Sequence, residues 1–128
     1  MTGVPKLVHI ATAHGLKKIE ATFFKQPGTG NEPVRDWLKS LPPSDRKLIG
    51  DDIRTCEFGW PIGMPTCRPM GDGLHEVRTD LPDGTIARVF FCIGAGKMYL
   101  LHGIIKKSQT TSKQALTLAR KRKNMLGE

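Results

Sequence analysis

Apolar positions along this chain change period several times, and each change marks an element. Residues 1–18 show no strong period. Ile19, Ala21 and Phe23 then alternate with polar neighbours, the mark of a short strand. Gln26-Pro27-Gly28-Thr29-Gly30 breaks it, and Asn31 stands as an N-cap before Glu32-Pro33, with acid and proline suited to a first helical turn. Val34, Trp37, Leu38 and Leu41 follow at helical spacing. Pro42-Pro43 stops that helix and opens another, whose stripe is Leu48, Ile49, Ile53 and Cys56, ending near Gly59-Trp60-Pro61. A pair of antiparallel helices joined by a tight turn is expected.

Beyond this point the period becomes two. Thr66–Met70, Leu74–Asp80, Ile86–Ile93 and Met98–Ile105 read as strands, separated by turns at Gly71-Asp72-Gly73, Pro82-Asp83-Gly84 and Gly94-Ala95-Gly96. The last three should form a meander. Thr110-Thr111-Ser112 precedes a final helix with Ala115, Leu116, Leu118 and Ala119 among basic residues. The order β-α-α-β-β-β-β-α predicts one α+β domain over residues 1–128, with 1–18 as an N-terminal extension. Its small antiparallel-rich sheet should carry the helical pair on one face.

Composition narrows the class. At 128 residues the chain suits a single core, and 38% hydrophobic with 25% charged residues is ordinary for a globular protein. No stretch approaches the roughly 20 apolar residues that span a bilayer, and Pro5, Lys6 and His9 interrupt the apolar run near the start. A cytoplasmic, non-exported protein is therefore expected. Cys56, Cys67 and Cys92 match neither a metal knuckle nor a disulfide framework, so three reduced thiols are expected. His9, His14, His75 and His102 lack zinc-type spacing, and neither metal nor cofactor is expected.

Charge is more informative. The formal net charge is +8, and residues 97–128 hold eight Lys or Arg against Glu128 alone. Such asymmetry points to a polyanion, nucleic acid above all, against the plainer alternative of a solvated basic tail. Lys113, Arg120, Lys121, Arg122 and Lys123 lie on the last helix, where docking on an RNA backbone would add salt-sensitive affinity.

Pairing the strands suggests a site. A hairpin centred on Asp83 sets Arg78 opposite Arg88, and one centred on Ala95 sets Arg88 opposite His102. These three would then line up across adjacent strands, with Glu76 on the same face; a slip of one residue would scatter them. Two facing arginines need an anion between them. A phosphate fits, since each guanidinium gives paired hydrogen bonds, whereas the plainer alternative is a local acid such as Glu76, Asp80 or Asp72. Glu76 is either that counterion or a general base. His75 and His102 could also move a proton; His75 should face away from Glu76, and His102 could instead be a buried structural residue. Trp37 and Trp60 read as core.

Three blocks now carry a resemblance: Leu74-His75-Glu76-Val77-Arg78, Ile86-Ala87-Arg88-Val89-Phe90-Phe91, and Leu101-His102-Gly103-Ile104-Ile105-Lys106-Lys107-Ser108-Gln109-Thr110. Together, in this order and spacing, they resemble the RelE/ParE superfamily of toxins, in particular the phage-derived Gp49-like branch with its HigB-type members. The similarity spans roughly residues 19–124; the family's usual start is shorter by about 15 residues. The resemblance implies a RelE-like fold and a toxin of a type II toxin–antitoxin pair. Such toxins are commonly metal-independent endoribonucleases that cut mRNA on the ribosome and so inhibit translation. Implied partners are a cognate antitoxin of helix-turn-helix type, the ribosome and mRNA, without a membrane. Carried over by motif, Arg88 and then Arg78 would stabilise the phosphate, Glu76 stands where some members place a general base, and Lys106 and Lys107 stand at the substrate backbone. Two other classes stay open: a ParE-like inhibitor of DNA gyrase, and a non-catalytic phage nucleic-acid-binding module.

Overall fold

The computed structural model describes residues 17–61, 66–107 and 112–127. Its elements run β1 (Glu20–Phe23), α1 (Pro33–Lys39), α2 (Pro43–Gly59), β2 (Cys67–Gly71), β3 (Leu74–Asp80), β4 (Ile86–Gly94), β5 (Lys97–Lys106) and α3 (Lys113–Met125). The expected order is observed. Prolines open both N-terminal helices, where a missing N–H costs nothing. The cap of α1 is Glu32 rather than Asn31, without a side-chain bond, while Ser112 caps α3 by accepting from Ala115 N at 3.2 Å. Thr110 and Thr111, and most of the 1–18 extension, lie outside the described residues.

The strands form a single sheet in the order β1-β5-β4-β3-β2. All pairings are antiparallel except β1 with β5, which is parallel. β1 thus joins the edge through a long crossover that contains both N-terminal helices, a pairing that strand periodicity does not reveal. Its free edge is protected: Glu57, near the end of α2, accepts from Ala21 N at 2.6 Å, and the Glu57 carbonyl accepts from Lys18 N and Ile19 N.

The sheet has two covered faces. Val34, Ile49, Ile53 and Cys56 of the helical pair pack with Val77, Val89, Phe91, Met98 and Leu100 on one. Ala115 and Ala119 of α3 pack with Phe24, Leu74, Phe90, Cys92 and Leu101 on the other. Trp37 and Trp60 are only half-buried but pack on the first core. The expectation of three separate thiols is corrected: Cys56 and Cys67 are joined as a disulfide. Packing α2 across the sheet brings these positions into one core, which their spacing in sequence does not show. Cys92 is free and buried, and that burial pushes its thiol pKa up, although Lys123 pulls it down in part.

Candidate active site

The β3–β4 hairpin has the expected register, with Arg78 opposite Arg88 and Asp80 opposite Ile86. The β4–β5 hairpin does not. Its loop is only Ala95-Gly96, both at positive φ, so Gly94 pairs with Lys97 and the strands start one residue out of the expected register. Continued unbroken, that offset would set Gly103 opposite Arg88 and turn His102 to the helical-pair face. A bulge at Leu101 adds a second offset. Phe91 pairs with Leu100 and Phe90 with His102, which leaves Leu101 without an opposite residue. Arg88 consequently faces Ile104, not His102. Because the two offsets add to two residues, His102 returns to the face of Arg88, one pair along. Its ring lies over Phe90, centroids 6.2 Å apart.

Arg88 and Glu76 sit at the centre of this face, both with no solvent exposure. Arg88 Nη1 lies 3.2 Å from each carboxylate oxygen of Glu76. Glu76 also faces Arg68 of β2, its direct cross-strand partner, at 3.7 Å from Nε. The anion beside Arg88 is thus a carboxylate of the protein itself. A buried charge this far from water is tolerable only when so paired. Arg68 was not singled out by sequence reasoning. Its place follows from the β2–β3 turn at Asp72-Gly73 together with the register shift between Pro69 and Gly71; the turn alone would set Pro69 opposite Glu76.

The remaining expected residues divide between two openings. Arg78, half-buried, lines a cleft of about 460 Å³ with Asp51 and Asp52 of α2, Thr66, Thr79 and Asp80. His102 and Lys106 share a second opening of about 350 Å³ with Ile104 and with Ser112, Gln114, Ala115 and Leu118 from the start of α3. A cation, an imidazole and the positive end of a helix there surround one space. Lys107 and Lys113 are exposed, and neither lines that pocket.

On α3, arginines and lysines play different parts. Arg120 donates to the Met70 carbonyl at 3.0 Å and approaches Asp72 at 4.0 Å. Arg122 donates to the Leu101 carbonyl at 2.8 Å, lies 3.5 Å from His102 Nδ1, and sits over the Phe24 ring at 5.8 Å. Lys121 is exposed. Burial, with Arg122 adding to it, lowers the His102 pKa. His75, on the opposite face from Glu76 as expected, stacks against Phe91 at 5.3 Å and meets Trp60 edge-on at 4.9 Å; burial lowers its pKa too.

Two helices and a basic third helix around a mostly antiparallel five-stranded sheet, with arginines and a histidine gathered on its inner strands, define a small protein of RelE-like fold. The model of the phage-derived protein Gp49-like family matches residues 36–124, from within α1 to within α3. The chain belongs to that family, a family of RelE/HigB-like toxins. No curated protein matches the chain. β1 precedes the matched region and nevertheless completes the sheet. No helix among the described residues is long and apolar enough to cross a membrane.

Proposed function

We propose that this toxin-like protein is a metal-independent endoribonuclease that cuts translated mRNA, with a co-expressed antitoxin as its inhibitor and the ribosome as its platform. The observation that carries the reading is the pocket in which His102 and Lys106 meet the first turn of α3. The reaction needs only the RNA. The ribose 2′-OH loses its proton, its oxygen bonds to the adjacent phosphorus, and the bond to the 5′-oxygen breaks. That oxygen takes up a proton, leaving a cyclic phosphate and a free 5′-OH.

Charge builds on the phosphoryl oxygens as this proceeds, and fixed positive groups are the economical way to stabilise it. Lys106 and the α3 N-terminus supply them in the pocket, with His102 within the same space. Arg78 lines a separate cleft, where its role is to hold a more distant part of the RNA backbone. Arg88 and Glu76 are closed to solvent, so their contribution is indirect: the pair braces β4 against β3 and sets the field beneath the substrate. Lys107, Lys113 and Lys121 extend the basic surface, and each phosphate they neutralise adds salt-sensitive affinity.

The test is inducible expression in bacteria with mapping of mRNA 5′ ends, for wild type, His102→Ala and Lys106→Ala. These residues are partly or fully exposed, so their loss spares the core in a way that Arg88→Ala does not. Growth arrest with new cuts inside translated codons, lost in both variants, supports the reading. Arrest without new cuts rejects it in favour of gyrase inhibition, and unimpeded growth with abundant folded protein leaves a binding module.

A further inference from the structure

His102 has a charged neighbour with an unusual constraint. Arg122 Nη1 lies 3.5 Å from His102 Nδ1 and 2.8 Å from the carbonyl of Leu101. A guanidinium has only donors and is charged at any ordinary pH. A ring nitrogen beside it must therefore present a lone pair. With Nδ1 as acceptor, the single proton of the neutral ring belongs on Nε2. A second proton on Nδ1 would turn N–H toward N–H and set charge against like charge.

Arg122 is itself held in place. Its guanidinium carbon stands 5.8 Å over the Phe24 ring, and its bond to Leu101 clasps the carbonyl of the bulge residue. The bulge is what returns His102 to this face, so the same arginine secures both the turn of the strand and the state of the ring. On the other side of the imidazole lies Phe90. Among the described residues, Lys106 shares the pocket, and the Arg88–Glu76 pair lies on β4 and β3. Burial and Arg122 disfavour an imidazolium, and Glu76 is already engaged by Arg88 and Arg68.

We propose that Arg122 is a positioning residue that holds His102 as the neutral Nε2–H tautomer, so that the histidine offers a hydrogen-bond donor, not a base, in the pocket it shares with Lys106. The depressed His102 pKa agrees with this arrangement. Which substrate atom receives the bond rests on the ribonuclease reading, where it is a phosphoryl oxygen; the proton at the 2′-OH must then leave by another base. The tautomer does not depend on that reading.

Ring nitrogen-15 shifts of the full-length protein, followed through a pH titration, test the assignment directly. The expected result is a protonated Nε2 and a bare Nδ1 at neutral pH, with a midpoint below 6.5, the ordinary value. Arg122→Lys and Arg122→Gln should mix the tautomers, and the Gln variant should raise the midpoint. A mixed wild-type tautomer, or variants that leave both readouts unchanged, would overturn the proposal. The wild-type spectrum alone decides the tautomer should the variants fail to fold.

Cleavage provides the second arm. The amide nitrogen of Gln can stand near the place of Nε2, whereas that of Asn falls near Nδ1. His102→Gln should therefore retain cleavage within about tenfold, and His102→Asn should lose on the order of a hundredfold. Equal loss in both overturns the donor role. Absence of cleavage by the wild type, with the expected nitrogen shifts, would reject the ribonuclease reading and leave the positioning by Arg122 standing.

Discussion

Glu76 serves two guanidiniums, Arg88 at 3.2 Å and Arg68 at 3.7 Å, and this makes the two sides of the ion pair unequal. Removing Glu76 takes one carboxylate from both arginines; removing Arg88 still leaves Arg68 beside the carboxylate. Glu76→Gln should thus cost more stability than Arg88→Met, with the former at about 3–5 kcal/mol, measured by urea unfolding. Equal costs would mean that Arg68 contributes nothing to the balance. The histidines set a pH dependence. Their folded pKa values lie below the unfolded value of 6.5, so the unfolded chain binds protons more readily. Their contribution is fully present above about pH 6.5 and is lost as pH falls through the folded values. The melting temperature should decline on that side. His75→Phe, which keeps a ring against Trp60 and Phe91 but cannot titrate, should flatten the decline.

Between elements, β5 fits closely on α1 at Gly103. A Cβ built on Gly103 would stand 2.4 Å from Trp37 ring carbons, closer than any packing permits. The strand needs glycine here because Gly103 turns toward the helical pair while His102 and Ile104 turn toward α3. Gly103→Ala should destabilise by about 1–3 kcal/mol, and Trp37→Leu in the same chain should recover part of it; a chemical denaturation cycle reads both. At the edge next to β5, Glu57 ties α2 to β1 through Ala21 N and to Lys17 just before it, at 3.0 Å. Glu57→Ala leaves that N–H without its carboxylate acceptor, at a cost of about 1–3 kcal/mol. Hydrogen exchange should show Ala21 losing protection before the inner strands do.

Across the whole molecule, basic residues that look alike in sequence separate into anchors and contacts. Arg120 and Arg122 are bonded to the sheet, whereas Lys121 on the same helix is exposed. On the ribonuclease reading, Lys121→Gln should reduce the salt dependence of RNA binding by about 0.7 in log–log slope with little change in stability; Arg120→Gln should do the reverse. Filter binding across a salt series, beside thermal melts, distinguishes them. The α+β order, all four strands after residue 65 and the Arg78–Arg88 pairing were legible in the sequence, because period-two patterning and a symmetric turn at Asp83 are local signals. The resemblance in Leu74–Thr110 likewise rested on short contiguous blocks, and the family match agrees with it. The parallel place of β1, the Cys56–Cys67 pairing and the partner of Arg88 were not. Each depends on where a crossover, a helix or a bulge sets distant residues, and one extra residue at Leu101 leaves no mark in composition or period. What chemistry the chain carries was written in its residue types and spacing. Which of those residues are buried braces and which face a pocket was decided by packing alone, since a buried arginine and an exposed one have the same letter.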